Sequence, residues 1–225
     1  SGNTGIALAA AGAALGNPVK IIMPCNMSEE RKQMMRAFGA EVVEVGHSDF
    51  QGAIALRGQM MLTGEDVWSP MQFENLDNVE CHRDTTGPEI HLQLDPNMPW
   101  SGFVGGAGTG GTMMGMHDYR DKTKFLDYKC VLVVPEEDAQ NHGIQGINDG
   151  QDFLLDPDKM DDIMKVSTAD AIERARRLAQ ENGLLVGISA GANVLAAERW
   201  IAKRRPAGVV VTILCDRGER YLSCS

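Results

Sequence analysis

The sequence predicts an α/β protein built from parallel sheets with helices packed against them. Over about the first 70 residues, helical and strand patterns alternate in the order α-β-α-β-α. That order is typical of parallel sheets, because each return to the next parallel strand needs a crossover helix. Segments of small residues at 1–5, 105–112 and 187–192 each join a predicted strand edge to the start of a helix. In open α/β sheets, such turns gather at the edge where ligands bind.

The elements of the first part follow from local patterns. An Ala-rich apolar run from Ile6 to Leu15 is closed by Gly16-Asn17-Pro18, which predicts a helix with a stop signal. Ser28 followed by two glutamates predicts the start of the next helix, and Gly39 predicts its end. The predicted helices cover 6–15, 28–38 and 49–62, and the predicted strands cover 19–23 and 41–45.

The remaining chain continues the α/β pattern. Residues 168–182 place apolar side chains at helical spacing and charges between them, which predicts an amphipathic helix. Residues 209–214 are mostly β-branched, which predicts a strand. The other predicted strands are 103–104, 130–134 and 163–166; helices are predicted to start at 85–89, to cover 113–122, to continue from the turn 187–192 through 203, and to begin again at 218.

The segment Gly105-Gly106-Ala107-Gly108-Thr109-Gly110-Gly111-Thr112 gives the first indication of function. Glycines let backbone N–H groups crowd together, and the helix that follows adds unpaired N–H groups and a partial positive charge. Such an arrangement favours a phosphate. The spacing Gly106-x-Gly108-x-x-Gly111 also satisfies a dinucleotide fingerprint, with Glu136 and Glu137 as ribose ligands, and a turn that serves only packing is a third interpretation.

Composition narrows the function classes. The chain has 225 residues, 43% of them apolar, and a net charge of −10, which makes a nucleic-acid backbone an unfavourable partner. No apolar run is long enough to span a membrane, and no secretory signal opens the sequence. The five cysteines and five histidines have no metal-ligand spacing, so we expect reduced thiols in the cytoplasm and no metal site.

Several short motifs, in order along the whole chain, resemble one family: the pyridoxal-phosphate enzymes of fold type II (the β-family), and within it the group of cysteine synthase (O-acetylserine sulfhydrylase) and cystathionine β-synthase. The family motifs concerned are SGNTG, MPxxMSxER, QF, HxxTTGPEI, GxGTGGT, IQGI and GISxGA. They are matched at Ser1–Gly5, Met23–Arg31, Gln72-Phe73, His82–Ile90, Gly106–Thr112, Ile144–Ile147 and Gly187–Ala192.

The resemblance implies two doubly wound domains with mainly parallel sheets, of which the N-terminal one is incomplete. We expect a partial N-terminal domain at 1–73, carrying the substrate-carboxylate loop, and a C-terminal domain at 74–225, carrying the cofactor-phosphate loop. It also implies roles for single residues. Cofactor binding falls to Asn3, at the ring hydroxyl, and to Gly108, Thr109, Gly110, Gly111 and Thr112, at the phosphate; substrate binding falls to Ser1, Gly2, Thr4 and Gln72.

The reaction implied by the resemblance is β-replacement on an activated serine, in which O-acetylserine and sulfide give cysteine and acetate. The family's Schiff-base lysine lies upstream of the SGNTG motif, and no lysine of this chain lies in a similar context. We therefore expect no catalytic lysine among these residues, a chain that represents a fragment of the enzyme, and no activity of the chain alone.

A second departure lies near residue 216, where the family places a serine or threonine hydroxyl against the pyridine nitrogen. Here the segment reads Cys215-Asp216-Arg217-Gly218. Asp216 at that nitrogen would favour its protonated form and Arg217 would disfavour it. Asp216 is also compatible with a surface cap of the last predicted helix.

Three alternatives to cysteine synthesis remain at the level of sequence. The first is a cystathionine β-synthase-like use of serine and homocysteine. The second is a non-catalytic truncated paralogue that binds a ligand or a partner, and the third is a nicotinamide dinucleotide binder. For the complete protein, the resemblance implies a homodimer with an amino acid substrate.

Overall fold

The computed structural model describes residues 2–64, 66–139, 141–147 and 151–223. They form two compact units, which we describe separately. Unit 1 combines Ser1–Pro70 with Gly218–Ser225, and unit 2 comprises Met71–Arg217.

Unit 1 holds a two-stranded parallel sheet and three longer helices. Strand β1 pairs with β2 so that Ile22 lies opposite Val43. The buried core consists of side chains from α1, α2 and β1, among which Met23 and Met35 are fully inaccessible to solvent. The elements are α1 (Gly2–Leu15), β1 (Lys20–Pro24), α2 (Glu29–Ala37), β2 (Glu41–Val45) and α3 (Phe50–Thr63), and a 3₁₀ turn covers Gly218–Tyr221.

Unit 2 contains the remaining helices and a four-stranded sheet. Near the start of unit 2, a π-helical turn at His82–Thr86 separates two short helices. The elements are α4 (Asp77–Cys81), α5 (Gly87–Gln93), β3 (Trp100–Gly106), α6 (Gly111–Lys122), β4 (Lys129–Pro135), a 3₁₀ turn (Pro157–Lys159), β5 (Asp162–Val166), α7 (Thr168–Asn182), α8 (Ile188–Arg204) and β6 (Val209–Thr212).

The sheet of unit 2 is fully parallel, with strand order β5-β4-β3-β6. Phe103 of β3 lies opposite Cys130 of β4 on one side and opposite Val211 of β6 on the other. The chain therefore moves outward from β3 through β4 to β5 and then returns to the opposite side of β3. This reversal creates a topological switch point between β3 and β6, and open α/β sheets bind ligands at the carboxyl ends of the strands there.

The core of unit 2 lies around β3 and α6. The rings of Trp100 and Tyr128 stack with centroids 3.9 Å apart, and Phe103 and Met116 are fully buried beside them. Burial of these large side chains supplies most of the hydrophobic free energy that holds α6 against the sheet. The first turn of α6 is consequently fixed relative to the end of β3.

The observed elements confirm the predicted α/β class with parallel sheets, and 41–45 and 168–182 have the predicted bounds. Two segments differ from prediction. Residues 188–192, predicted as a turn, form the first helical residues of α8, because small side chains allow that helix to be buried on several sides. Residues 82–86 form a π-helical turn, which no local propensity signals.

The compact units differ from the expected domains at two points: the change falls after Pro70, not after Phe73, and residues 218–223 belong to unit 1. The domain division of the family stays a prediction. Within the part of the chain that the structure describes, no helix has the length and apolar character needed to cross a membrane.

We expect Met116→Ala to lower the free energy of unfolding of unit 2 by about 2–5 kcal/mol, because truncation leaves a cavity in a packed core. Urea denaturation followed by tryptophan fluorescence measures this, since Trp100 belongs to the same cluster. Leu92→Ala is the control: Leu92 is 86% exposed, so its truncation should change the free energy by no more than about 0.5 kcal/mol. Equal effects of the two variants would contradict the assigned core.

Candidate functional site

The glycine segment connects the carboxyl end of β3 to the first turn of α6. Gly106 is the last residue of β3, and α6 begins at Gly111. Gly110, the residue before the helix, has φ +91° and ψ −12°, which is the left-handed region that glycine tolerates best. This single left-handed residue turns the chain sharply, so that the loop lies directly over the start of α6.

Close packing excludes side chains from three positions of this loop. A Cβ atom at Gly110 would lie 2.3 Å from the backbone nitrogen of Leu155, and one at Gly106 would lie 2.2 Å from the Ile147 side chain. At Gly111, a Cβ atom would lie 2.1 Å from Asn78 Oδ1. The glycines therefore allow neighbouring segments to approach the loop from several directions.

The backbone N–H groups of the loop are available to a ligand. Among the described residues, the amide N–H groups of Gly108, Thr109, Gly110 and Thr112 have no hydrogen-bond acceptor. Helix α6, with 12 residues, adds the positive end of its dipole at the same place. Several unpaired donors at a helix N-terminus form a site for an anion, and a phosphate fits that chemistry.

Asn78 links this loop to Gln72, and sequence reasoning missed it. Its Nδ2 donates to the carbonyl oxygen of Gln72 and to Thr109 Oγ1, both at 3.0 Å. Thr109 Oγ1 also accepts a hydrogen bond from the N–H of Gly111. Gln72, predicted to contact substrate, and Thr109, predicted to contact phosphate, thus share one bridging side chain. An asparagine four residues before a histidine motif carries no recognisable signal in the sequence.

Thr112 is held by the π-helical turn. Its Oγ1 lies 3.1 Å from His82 Nε2, and His82 Nδ1 lies 2.9 Å from Thr86 Oγ1. Burial lowers the pKa of His82 from its ordinary value of 6.5, so the imidazole is neutral near neutral pH. A neutral imidazole donates at one nitrogen and accepts at the other, which gives each hydroxyl group a defined partner.

Asn193 lies at the topological switch point. This side chain is 1% exposed and belongs to α8. Its Oδ1 accepts from the N–H of Gly106 at 2.9 Å, while its Nδ2 donates to the carbonyl oxygen of Ile213 at 3.1 Å and to Cys215 Sγ at 3.5 Å. One amide therefore joins the end of β3 to the segment that follows β6. Asn193 is a second residue that sequence reasoning did not identify.

The segment after β6 contains the positions expected near a pyridine nitrogen. Asp216 is 7% exposed, and its carbonyl oxygen accepts from the N–H of Gly187, while Arg217 forms a backbone bridge to Val186. The burial of Asp216 contradicts the interpretation of this residue as a surface cap. The side chain of Arg217 is exposed. Of the two candidates, Asp216 is the one that the fold encloses.

Cys215 precedes these residues and contacts Asn193. As a whole residue Cys215 is exposed, but its sulfur is surrounded by protein atoms. This desolvation raises the pKa of the thiol, so it stays protonated near neutral pH. Cys215 is therefore a weak nucleophile in this environment.

Unit 1 presents the other predicted residues at the start of α1. The helix begins at Gly2, so Asn3 and Thr4 lie in its first turn, while Ser1 lies outside the described residues. Gly2 is buried with φ +58°, Thr4 is half-buried, and Asn3 is exposed. Asn3 Oδ1 accepts a hydrogen bond of 3.0 Å from Arg220 Nη1.

The lysine side chains of unit 1 serve structural roles. Lys32 is 6% exposed, and its Nζ donates to the carbonyl oxygen of Cys25 and to Glu44 Oε2, both at 2.7 Å. Lys20 forms a surface ion pair with Glu41. Both amines are thus paired with carboxylates of unit 1.

Substitution of Gly110 by alanine should cost more stability than substitution of Gly183, although both have positive φ. The left-handed backbone costs about 1–2 kcal/mol in either variant. Only at Gly110 does the added Cβ also meet a backbone atom, Leu155 N; at Gly183 the surrounding space is open. Urea unfolding of Gly110→Ala and Gly183→Ala, followed by tryptophan fluorescence, compares them. Equal losses would mean that Leu155 does not restrict the loop.

Stability should depend on the protonation of His82. Because the folded-state pKa lies below 6.5, the unfolded state binds more protons once the pH falls below that value. The contribution of neutral His82 is thus fully present above about pH 6.5 and is lost as the pH falls toward the lowered pKa. Urea unfolding at pH 8 and pH 5 measures this loss, which His82→Gln should reduce. An unchanged pH dependence in His82→Gln would contradict a desolvated imidazole.

Comparisons with known proteins agree with this architecture. Residues 1–216 match the family model described as pyridoxal-phosphate dependent enzyme. A cysteine synthase of Staphylococcus aureus (strain Mu50) is 36% identical over 233 residues, which cover 99% of this chain and 74% of that protein. A probable cysteine synthase of Bacillus subtilis (strain 168) is 38% identical over 235 residues, covering 99% and 75% respectively.

Solved structures show the same similarity. A hydrogen sulfide-producing enzyme from Fusobacterium nucleatum is 39% identical with a TM-score of 0.88, over 99% of this chain and 70% of that one. A cysteine synthase from Entamoeba histolytica is 35% identical with a TM-score of 0.87, over 99% and 68%. The chain therefore belongs to the family of pyridoxal-phosphate dependent enzymes and has the fold of its cysteine synthase members.

Proposed function

We propose that this chain forms the cofactor and substrate sites of a pyridoxal-phosphate enzyme that makes cysteine from O-acetylserine and sulfide. The observation that carries the proposal is the row of unpaired N–H groups at the start of α6, beside the topological switch point. The cysteine synthases among its relatives support the choice of reaction within the family.

The residues present fit the cofactor's phosphate. A dianionic phosphate would meet the N–H groups of Gly108, Thr109, Gly110 and Thr112, which have no acceptor within the described chain. Gly111 would have an indirect role. Because it has no side chain, the Asn78 amide can lie in the space that a Cβ atom of residue 111 would fill. A dinucleotide would need Glu136 or Glu137 as a ribose ligand after β4, and Glu137 Oε1 accepts instead from the N–H of Thr168.

We propose that the Thr112 hydroxyl donates to the phosphate and that its hydrogen bond with His82 sets its direction. If the Thr112 hydroxyl hydrogen points to a phosphate oxygen, its oxygen lone pair accepts from His82 Nε2–H. His82 Nδ1 is then the acceptor of the Thr86 hydroxyl, a tautomer that satisfies all three groups. Neutral His82 would thereby fix the direction of the Thr112 hydroxyl.

Each unit contains residues that we propose as substrate contacts. In unit 2, Gln72 Oε1 is buried without a hydrogen-bond partner among the described residues, and an N–H or O–H donor of the substrate would satisfy it. In unit 1, we assign the substrate carboxylate to Gly2 and Thr4 at the start of α1, where the helix dipole favours an anion, and, from the sequence motif, to Ser1. Asn3 would bind the ring hydroxyl of the cofactor.

The bound cofactor supplies the electron sink that lets the substrate lose its α-proton and its β-acetate group. We assign the ring nitrogen to Asp216, because a buried carboxylate at that nitrogen would hold a proton there and strengthen the electron sink. Arg217 is the less favourable candidate, since its positive charge would oppose that proton. The buried loop residues around β3 would exclude water from the same region.

We further propose that none of the lysines of this chain forms a Schiff base with the cofactor. Each lies outside a sequence context that resembles the family's lysine motif, and Lys32, the most buried, is engaged by Glu44. Borohydride reduction of the chain with pyridoxal phosphate, followed by peptide mapping, should label no single lysine stoichiometrically. Stoichiometric labelling of one lysine would overturn this assignment.

The function is tested by cofactor binding and by chemical rescue. Tryptophan fluorescence should report binding of pyridoxal phosphate to the chain, and Gly110→Ala should weaken it at least tenfold, as expected when donors of a charge-assisted site are displaced. With O-acetylserine and sulfide, cysteine should form only when methylamine is added in place of the lysine amine. Gly183→Ala is the matched control and should retain both properties.

Three outcomes would contradict the proposed function. Lack of pyridoxal phosphate binding would exclude the cofactor, and binding without rescued turnover would indicate a protein that only binds ligand. Faster turnover with homocysteine than with sulfide would indicate a cystathionine β-synthase-like reaction. We also propose that the complete protein is a homodimer and that its domains divide near residue 73, as in the family. We propose a cytoplasmic location, which the free thiols of four cysteines support.

A further inference from the structure

We propose that Arg220 is a positioning residue, which fixes the side-chain amide of Asn3 in the orientation that suits an oxygen anion. This inference rests on the proposed function, in which Asn3 binds the ring hydroxyl of pyridoxal phosphate. It concerns only unit 1, in which residues 218–223 contact the first turns of α1 and α2.

The bond between Arg220 and Asn3 fixes the orientation of the Asn3 amide. A guanidinium group carries only donors, so it can bond the amide of asparagine at the oxygen and never at the nitrogen. Arg220 Nη1 lies 3.0 Å from Asn3 Oδ1. Rotation of the amide by half a turn would place N–H groups against N–H groups and lose this bond. Arg220 therefore selects one of the two possible amide orientations.

The orientation that places Oδ1 of Asn3 against Arg220 turns Nδ2, which is a donor, in a different direction. A phenolate or hydroxyl oxygen of a ligand can accept from such a donor, whereas a ligand N–H group cannot bond it. Asn3 is exposed in unit 1, so its amide is accessible to a ligand.

Tyr221, the residue that follows Arg220, anchors this segment. The Tyr221 hydroxyl accepts a hydrogen bond from Arg31 Nη2, and the Tyr221 ring centroid lies 4.7 Å from Arg31 Cζ. Both side chains are 3% exposed, so this contact is a buried one. A cation over an aromatic face, combined with a hydrogen bond, fixes both partners in a single arrangement.

A second anchor follows two residues later. The N–H and the hydroxyl group of Ser223 donate to the two carboxylate oxygens of Glu30, at 2.7 and 2.8 Å. The pKa of Glu30 is lowered, first by a hydrogen bond from its own backbone N–H and then by those from Ser223, so the carboxylate stays charged at neutral pH. Glu30 and Arg31, which are adjacent in the first turn of α2, thus hold Ser223 and Tyr221 respectively.

The same Arg31 also lies beside the start of α1. A Cβ atom at Gly2 would be 3.8 Å from Arg31 Cζ, so the guanidinium group packs directly against the residue that precedes Asn3. Arg31 therefore sets the distance between the beginning of α1 and Tyr221. Arg31 thus contacts the residue before Asn3 and the residue after Arg220. Because one buried side chain holds both neighbours, the Arg220–Asn3 bond has a defined geometry.

The test is a double-mutant cycle on cofactor affinity, read by tryptophan fluorescence and by equilibrium dialysis of pyridoxal phosphate. Arg220→Met should weaken binding about fivefold to tenfold, the effect of one lost hydrogen bond. In the Asn3→Ala background, the same substitution should have no further effect. Arg220→Lys, which keeps a donor-only side chain, should retain most of the affinity. Arg176→Met, which removes a surface ion pair with Glu173 on α7, is the control.

A ligand-free measurement separates this inference from the proposed function. In ¹⁵N-labelled chain, NMR relaxation of the Asn3 side-chain amide should show an ordered group in the unsubstituted protein and a mobile one in Arg220→Met, but not in Arg176→Met. Equal losses of affinity in both Asn3 backgrounds would assign Arg220 a merely structural role and overturn the proposal. An Asn3 amide that stays ordered in Arg220→Met would overturn it as well. Loss of Asn3 order without any cofactor binding would instead overturn the proposed function, and with it the role of Arg220 toward the cofactor.

Discussion

The position of β3 between β4 and β6 is the constraint on which the candidate phosphate site depends. Because all four strands are parallel, the chain leaves β3 and β6 at the same edge, and β4, the strand that follows β3, lies on the side of β3 away from β6. The segment after β3 is therefore free to turn back over α6, and it does so through the left-handed Gly110. Loop conformation, helix dipole and unpaired N–H groups all follow from this one arrangement of strands.

Two asparagines convert that arrangement into a rigid site. Asn193 joins the ends of β3 and β6, and Asn78 joins the loop to the preceding segment at Gln72. Asn78 Nδ2 donates to two acceptors, whereas the buried Asn193 amide both donates and accepts, so that its polar atoms are paired. Such pairing is worth about 1 kcal/mol per bond, which is small for stability but decisive for the direction of N–H groups.

Much of the fold could be predicted from sequence, because the signals are local. The bounds of β2 and α7 follow from β-branched residues and from helical spacing with a Ser167 cap. The glycine loop was predictable for the same reason, although its sequence alone left a phosphate, a dinucleotide and a packing interpretation open. The chain's membership in the pyridoxal-phosphate family, predicted from short motifs, is confirmed by the comparisons.

The parts of the site that could not be predicted depend on contacts between distant residues. Asn78 and Thr109 are 31 residues apart, and Gly106 and Asn193 are 87 apart. No local pattern marks an asparagine whose partner lies that far along the chain. The burial of Asp216 has the same origin, because it depends on the pairing of its segment with Gly187 and not on its own neighbours in sequence. Whether Asp216 meets a ring nitrogen stays a prediction.

The composition of unit 1 has a consequence for biosynthesis. Its contacts with residues 220–223 span sequence separations of 217, 190 and 193 residues, whereas the strands and helices of unit 2 lie between those two segments. On the ribosome, α1 and α2 emerge early but must wait for residue 223 before Arg31 acquires its tyrosine and Glu30 its serine. Closing so long a loop is entropically costly and slow unless the intervening chain has already become compact. Folding of unit 2 thus shortens the path for the contacts of residues 220–223, and unit 1 completes these contacts only after the elements of unit 2 have been synthesised.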